Sequence, residues 1–146
     1  MKIRVINGPN LNMLGIREPE IYGSATYADL ETFLRRGAAE LGVEIEIFQS
    51  NHEGDLVDYI QQAMGAAEAI VINPAAYTHT SVAILDALKA VGLPAVEVHL
   101  SDVQSREEFR RVSYASLVCV EVVSGLGFEG YKKAMELLIA FRTVKN

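Results

Sequence analysis

The sequence predicts a flavodoxin-like α/β fold, in which helices cover both faces of a five-stranded parallel sheet of strand order 2-1-3-4-5. Three observations indicate this fold. Five short apolar segments alternate along the chain with segments of helical periodicity. The third apolar segment is continuously hydrophobic, as a strand buried on both faces should be. The length of 146 residues suits one domain, residues 1–146, without a repeat or a linker.

Each strand is predicted from a short apolar or alternating segment. The first opens the chain, and the second alternates apolar with acidic residues. Pro94 precedes the fourth strand, and the fifth is the apolar run that contains Cys119, which we expect to be a buried and inert thiol. The expected bounds of the five strands are 3–6, 43–48, 69–72, 95–98 and 117–123.

The first two helices are predicted from capping boxes followed by apolar residues at helical spacing. Thr26 with Asp29 opens a helix that runs to about Leu41. Ser50 with Glu53 is expected to open the next one in the same way. The apolar face of this second helix is expected to consist of Leu56, Val57, Ile60 and Met64.

The later helices follow the third, fourth and fifth strands. Thr80 or Ser81 is expected to cap the helix after the third strand. A short helix is predicted from Arg106 to Arg110. The apolar face of the helix after the third strand is expected to be Val82, Leu85 and Leu88, and that of the last helix Tyr131, Met135, Leu138 and Phe141.

Composition excludes several classes of protein. A formal net charge of −6 argues against nucleic-acid binding, which rewards basic surfaces. No apolar run is long enough for a membrane helix, and no signal-peptide pattern opens the chain. A single cysteine permits no intrachain disulfide. These features predict a cytoplasmic protein.

Several familiar motifs do not lead to a site. Residues 125–130 match GxGxxG after a strand, but a dinucleotide site also needs an acidic residue about 20 positions later, and the chain ends at Asn146. We therefore expect these glycines to permit tight packing of a strand against a helix. The three histidines are widely spaced, so no metal site is predicted. No lysine falls in the loops where a site is expected.

The predicted strand order places the ligand site. Ligands of such sheets bind at the carboxyl ends of the strands, next to the switch point between the first and third strands. The loops at that point are residues 7–25, 73–80 and 99–105, and they contain two of the three histidines, His79 and His99.

The first of these loops is long for a compact domain, which is usually a sign of function. Its Asn, Gly and Pro residues also suit simple turns. Arg17 and Tyr22 lie five residues apart in it, which suggests a lid. A guanidinium near a phenol lowers the pKa of the phenol, and Tyr22 would then serve as a base near neutral pH.

The other two loops each allow a structural and a functional interpretation. Residues 73–81 suit a capped helix start, or else a polar cradle for an oxyanion or hydroxyl groups. His99 ends a buried strand two residues after Glu97. This pair is either a satisfied structural pair or a general acid oriented by a carboxylate.

Taken together, these loops resemble the signature blocks of the type II dehydroquinases. The blocks keep the order and spacing of that family from Met1 to about the last helix. The matching stretches are residues 7–12, 17–23, 49–54, 73–81, 97–101, 106–110 and 125–131. The resemblance implies a flavodoxin-like fold and a hydro-lyase that needs no cofactor or metal. It implies a homododecamer built as a tetramer of trimers.

The resemblance also implies a reaction. It is the anti elimination of water from 3-dehydroquinate through an enolate, which gives 3-dehydroshikimate in the shikimate pathway to aromatic amino acids or in quinate catabolism. The catalytic set that it implies is Tyr22 as the base, Arg17 and Arg106 as sources of positive charge, Asn10 as the holder of a water at the enolate oxygen, His99 as the general acid and Glu97 as its orienting partner.

The substrate-binding set is implied in the same way. Asn73 and the backbone at Leu100 and Ser101 match the residues that bind the carboxylate, and His79 and Arg110 match contacts to ring hydroxyls. Asp86 matches a residue that a neighbouring subunit contributes. The chain departs from the family pattern at Leu85 (usually arginine), Asp102 (commonly asparagine), Ala75 (frequently glycine) and Val112 (frequently histidine).

Two other classes of function are alternatives. A protein that binds the carboxylate without catalysis is disfavoured by the intact set of Arg17, Tyr22 and His99. The fold also hosts flavin proteins and phosphoacceptors. A phosphoacceptor needs clustered acidic residues after the first strand, and residues 7–10 contain none.

Overall fold

The computed structural model describes the backbone of residues 1–146 and every side chain except that of Tyr22. Its five parallel strands form one sheet of order β2-β1-β3-β4-β5, which confirms the predicted flavodoxin-like fold. The central strands β1, β3 and β4 are almost completely buried. The strands are β1 (Lys2–Asn7), β2 (Glu44–Gln49), β3 (Ala69–Asn73), β4 (Ala95–His99) and β5 (Glu121–Ser124).

Helices cover both faces of the sheet. They are α1 (Pro19–Tyr22), α2 (Tyr27–Leu41), α3 (Glu53–Gln61), α4 (Val82–Val91) and α5 (Glu129–Lys145). Helices α2 and α5 pack on one face and α3 and α4 on the other. Successive strand residues point to opposite faces, so Val5 belongs to the core under α2 and α5, while Ile6 belongs to the core under α3 and α4. This alternation explains why the third strand, buried on both faces, is apolar from Ala69 to Ile72.

Two of the predicted helix caps are confirmed and one is wrong. Thr26 accepts a hydrogen bond from the backbone of Asp29, and the Asp29 carboxylate accepts one in return. Ser81 caps α4 through the backbone N–H of Ile84. The Ser50 hydroxyl instead donates to Asp55 at 2.6 Å, and Ser50 lies too far before the first turn of α3 to cap it. Helix α3 also ends at Gln61, so Met64 does not belong to its apolar face.

The second half of the chain departs from prediction in three places. Strand β5 begins at Glu121 rather than at Leu117, because residues 115–117 form a 3-10 turn and Glu121 is the first residue in register with β4. The short helix predicted for residues 106–110 is only a 3-10 turn at 108–110, since the extended backbone of Glu107 separates it from another such turn at 103–105. The buried face of α4 is formed by Ile84, Ala87 and Leu88, whereas Val82 is half exposed.

The glycines of the GxGxxG match have the packing role that was predicted. A Cβ at Gly130 would touch the side chains of Val123 and Val98, both at 3.4 Å, where α5 begins against the sheet. Gly125 and Gly127 adopt left-handed backbone conformations, with φ of 81° and 58°. The motif therefore shapes the turn from β5 into α5.

The loops after β1 and β3 touch at Gly8. The backbone N–H of Gly8 donates to the carbonyl of Asn73 at 2.8 Å. A Cβ at Gly8 would lie 2.4 Å from the carbonyl oxygen of Pro74, and such backbone atoms cannot move aside as a flexible side chain would. Only glycine permits this approach.

Gly8→Ala is therefore expected to lower the free energy of unfolding by about 1–3 kcal/mol, since the added methyl group must push the two loops apart. Urea unfolding measures the change. Gly54→Ala is the matched control, because a Cβ at Gly54 meets nothing within 4 Å and alanine favours helix α3. Equal stability of the Gly8→Ala and wild-type proteins would contradict the described contact.

Candidate active site

A polar cleft lies at the carboxyl ends of β1, β3 and β4, where the sheet topology predicts a ligand site. Its empty volume, including the open mouth, is about 560 Å³. Nine of the residues singled out from the sequence line this cleft. They are Asn10, Arg17, Asn73, His79, His99, Leu100, Ser101, Arg106 and Arg110.

Three residues from the sequence-based set have other positions. Glu97 is fully buried and lies behind His99. Asp86 is exposed on α4 and does not line the cleft of its own chain. The side chain of Tyr22 lies outside the described residues, although the backbone of Tyr22 ends helix α1.

Charge in the cleft is positive although the net charge of the chain is −6. Arg17, Arg106 and Arg110 line it, and none of the described lining residues is acidic. Each of these arginines has a glutamate within 4 Å: Arg110 Nε lies 2.9 Å and Arg106 Nε 3.9 Å from Glu107, and the guanidinium of Arg17 lies 3.6 Å from Glu18. Three guanidinium groups around one cleft favour an anionic ligand with several oxygen atoms.

His99 and Glu97 form a buried pair at the end of β4. The distance between His99 Nε2 and Glu97 Oε1 is 2.5 Å, and the His99 side chain is 7% exposed. Because Nε2 is occupied by the carboxylate, Nδ1 is the ring nitrogen left for a ligand in the cleft. A carboxylate that fixes one ring nitrogen sets the tautomer and the orientation of the imidazole, as a general acid requires.

Two hydroxyl groups complete the surroundings of Glu97. Thr78 Oγ1 donates to Glu97 Oε1, and Ser113 Oγ lies 2.8 and 2.9 Å from the two carboxylate oxygens. Burial by itself raises the pKa of Glu97, but the hydrogen bonds from His99 and from the two hydroxyls outweigh burial and hold the pKa below its ordinary value. Glu97 is therefore a carboxylate near neutral pH.

Ser113 is a site residue that sequence reasoning missed. It lies in an irregular segment with neither strand nor helix periodicity, so its position gives no signal. The segment is held against the loop after β3: the backbone N–H of Tyr114 donates to the Thr78 carbonyl at 2.8 Å, and His79 Nδ1 lies 2.7 Å from the Val112 carbonyl. These contacts bring Ser113 to Glu97.

Unusual backbone conformations cluster at the cleft. The non-glycine residues described with positive φ are Asn10 (69°), Glu18 (40°) and Ala75 (52°). Asn10 and Ala75 line the cleft, and Glu18 follows the lining residue Arg17. The backbone N–H of Asn10 donates to Asn51 Oδ1 at 3.0 Å, which holds that turn. Each such conformation costs about 1–3 kcal/mol and is common at functional sites.

The described residues give little support to a metal site, a nucleophilic thiol or a membrane span. No group of three His, Cys, Asp or Glu side chains there has the geometry of a metal site. Cys119 is half-buried outside β5, rather than buried within it as predicted, and burial together with the nearby charge of Glu97 raises its pKa to about 12. A thiol with this pKa is a poor nucleophile, as expected. Within the described part of the chain, no helix has both the length and the apolar character that a membrane span requires.

Comparisons with known proteins identify the family of this chain. The family model described as "Dehydroquinase class II" matches residues 1–139. A 3-dehydroquinate dehydratase of Geotalea daltonii is 57% identical over 146 residues, covering 100% of this chain and 97% of that protein. A catabolic 3-dehydroquinase of Verticillium alfalfae is 55% identical over 145 residues, covering 99% and 97%. The crystal structure of a type II dehydroquinase from Butyrivibrio crossotus superposes with a TM-score of 0.93 at 48% identity, covering 95% of this chain and 97% of that one. The chain belongs to the class II dehydroquinase family.

Proposed function

We propose that this chain is a type II 3-dehydroquinate dehydratase, a hydro-lyase whose single catalytic domain, residues 1–146, converts 3-dehydroquinate to 3-dehydroshikimate in the described cleft. Membership of the family supports this reaction. The observation that carries the proposal is the buried Glu97–His99 pair facing a cleft lined by arginines. An acid at the leaving hydroxyl and positive charge for the enolate are what an elimination through an enolate requires.

The elimination begins with removal of a proton next to the ketone. Tyr22 is the proposed base, and the electron pair of the broken C–H bond moves to the ketone oxygen to form the enolate. Arg17 and Arg106 stabilise the developing negative charge, and Asn10 holds a water at the enolate oxygen. Three of these four residues line the described cleft, which supports their assignment.

The elimination ends when the hydroxyl group leaves. His99 donates a proton to that oxygen, the C–O bond breaks, and the enolate electrons form the new C=C bond conjugated with the ketone. Glu97 stabilises the imidazolium and fixes its direction through the 2.5 Å contact. No step of this sequence calls for a metal ion or a redox cofactor.

Substrate orientation is assigned to a second group of cleft residues. The Asn73 side chain and the backbone at Leu100 and Ser101 bind the carboxylate, and His79 and Arg110 contact the ring hydroxyls. His79 has Nδ1 at the Val112 carbonyl, which leaves Nε2 for a hydroxyl. All five residues line the cleft, as this role requires.

The assembly that we propose is a dodecamer, a tetramer of trimers, in which Asp86 reaches the cleft of a neighbouring subunit. The exposure of Asp86 on α4, away from its own cleft, supports a role in another subunit. Asp102, which departs from the family pattern, caps a turn through the backbone of Gln104 and need not contact a partner. Light scattering gives the mass, and a monomer with full activity would refute the role of Asp86.

We place the enzyme in the cytoplasm, consistent with one unpaired cysteine. Its role is either biosynthesis through the shikimate pathway or quinate catabolism. One relative, 55% identical, is named a catabolic 3-dehydroquinase, and another, 57% identical, has the name 3-dehydroquinate dehydratase, which fits either role. The two roles share one reaction, so the same site serves either.

The reaction is tested by adding purified protein to 3-dehydroquinate and following the ultraviolet absorbance of the conjugated enone. Growth of absorbance that is unaffected by a chelator is the expected result. A protein that binds 3-dehydroquinate in calorimetry but produces no enone would overturn the proposal and would favour a binding protein.

Ser113→Ala is expected to lower kcat by about tenfold and to shift the acid limb of the kcat profile to higher pH. The variant loses the Ser113 hydrogen bonds to Glu97, so the pKa of Glu97 rises and the carboxylate is protonated at a higher pH than in the wild type. Its orienting contact with His99 is then lost earlier as the pH falls.

Kinetics across the pH range measure both effects. Ser116→Ala is the matched control, because the Ser116 hydroxyl donates to the Ser113 carbonyl and has no described contact with Glu97. An acid limb that moves equally in both variants would show that Ser113 acts only through the local fold.

A further inference from the structure

A hydrogen-bond network lies beneath the cleft and is formed by the buried residues Asn7, Tyr131 and Asn73 and the partly buried Tyr27. Asn7 and Asn73 are register partners at the ends of the adjacent strands β1 and β3. Tyr131 comes from α5 and is fully buried. Of these four residues only Asn73 lines the cleft, and the proposed mechanism assigns no role to the other three.

The contacts of Tyr131 join the two strand ends. Its hydroxyl donates to Asn7 Oδ1 at 2.7 Å and accepts from Asn73 Nδ2 at 3.0 Å. Asn73 Oδ1 accepts from the backbone N–H of Ala75 at 3.0 Å. One hydroxyl group is therefore the bridge between a residue of the cleft and the interior of the sheet.

These bonds have only one consistent direction. A backbone N–H can only donate, so the Ala75 contact requires that the oxygen of the Asn73 amide faces Ala75. The amide nitrogen then faces Tyr131 and donates to it. The hydroxyl of Tyr131 has one hydrogen, which is left for Asn7 Oδ1, and Asn7 Nδ2 lies 3.5 Å from the hydroxyl of Tyr27.

Burial preserves this arrangement. It raises the pKa of Tyr131, so the phenol keeps its hydrogen at all working pH values. A neutral phenol can accept from Asn73 and donate to Asn7 at the same time. Of the two N–H bonds on Asn73 Nδ2, one is engaged by Tyr131, and among the described residues no hydrogen bond engages the other.

We propose that Tyr131 is a positioning residue for the substrate carboxylate, because its hydroxyl holds the Asn73 amide with its second N–H available to the cleft. This inference rests on the proposed function, in which Asn73 binds that carboxylate. Without the hydroxyl, both Asn73 Nδ2 and Asn7 Oδ1 lose a buried partner, and the amide turns to regain one. The preference of the cleft for a carboxylate over an uncharged ester then falls.

The test compares binding of 3-dehydroshikimate with that of its methyl ester by calorimetry, which does not require turnover. The wild type is expected to prefer the acid. In Tyr131→Phe that preference is expected to fall by about tenfold, while kcat for 3-dehydroquinate changes by less than about threefold. A purely structural role would lower thermal stability and leave the acid-to-ester ratio unchanged, which would overturn the inference.

Tyr27→Phe is the matched control, since it removes a hydroxyl from the other end of the network, away from Asn73. It is expected to keep the wild-type ratio, and an equal loss of ratio in both variants would overturn the inference. If Tyr131→Phe fails to fold, the near-isosteric Asn7→Leu removes the acceptor of the Tyr131 hydrogen. The acid-to-ester ratio of Asn7→Leu is expected to fall as well. An unchanged ratio in this variant would overturn the inference that Tyr131 positions Asn73.

Failure of the proposed function gives a different result. A wild-type protein that prefers the acid to the ester but produces no enone would refute the dehydratase proposal and leave the role of Tyr131 standing. A wild-type protein that turns over 3-dehydroquinate but shows no preference for the acid would refute the role of Tyr131 alone.

Discussion

His99→Ala is expected to lower kcat for 3-dehydroquinate by roughly 10²–10⁴-fold, the usual contribution of a general acid, while KM changes far less. The variant removes the group that we propose protonates the leaving hydroxyl, but it leaves the arginines of the cleft in place. Enolate formation does not need this acid. The variant is therefore expected to keep exchanging the substrate proton next to the ketone with solvent.

Steady-state kinetics and proton exchange in D₂O, followed by NMR, measure the two effects. His52→Ala is the matched control, since His52 is exposed before α3 and its side chain makes no capping hydrogen bond. A His99→Ala enzyme with normal kcat and a raised KM would show that His99 binds substrate rather than donating a proton.

Tyr22→Phe is expected to lower kcat by a similar factor of roughly 10²–10⁴, because it removes the proposed base. Arg17, five residues earlier in the same loop, lines the cleft and supplies positive charge there. Proton removal precedes every later step, so this variant is expected to lose the exchange of the substrate proton together with turnover. That loss distinguishes Tyr22→Phe from His99→Ala.

The same kinetic and exchange measurements apply to Tyr22→Phe. Tyr59→Phe serves as its control, because the Tyr59 ring packs on Phe48, with ring centroids 4.7 Å apart, and does not line the cleft. Proton exchange at the wild-type rate in Tyr22→Phe would mean that another group is the base.

Much of the fold was predictable because its signals are local. The continuous apolar run of β3 and the capping box at Thr26 depend only on neighbouring residues, and both predictions are confirmed. The errors arise where the decisive contact is distant in sequence. Strand β5 starts only at Glu121, after the 3-10 turn 115–117 and where its register with β4 begins, and the apolar pattern of residues 117–123 does not indicate this start.

The candidate site was also predictable only in part. Topology alone places the loops after β1, β3 and β4 together, and the residues that line the cleft come from those loops and from the segment 103–110. Ser113 and Tyr131 were not predicted as site residues. Ser113 lies in an irregular segment, and Tyr131 lies on the apolar face of α5, where its ring gives the signal of a core residue. Their hydroxyl groups acquire roles only through the tertiary contacts with Glu97 and Asn73.

The parallel order of the sheet also determines when the site can form during folding. The cleft requires β1, β3 and β4 to be paired in register, and each of these pairings joins segments that are far apart in sequence. Long-range parallel pairing is slow, because a large loop must be closed before any contact stabilises it. Helix α2, in contrast, has its own local cap. After dilution from denaturant, helical circular dichroism should recover first, and catalytic activity should return only with the complete sheet.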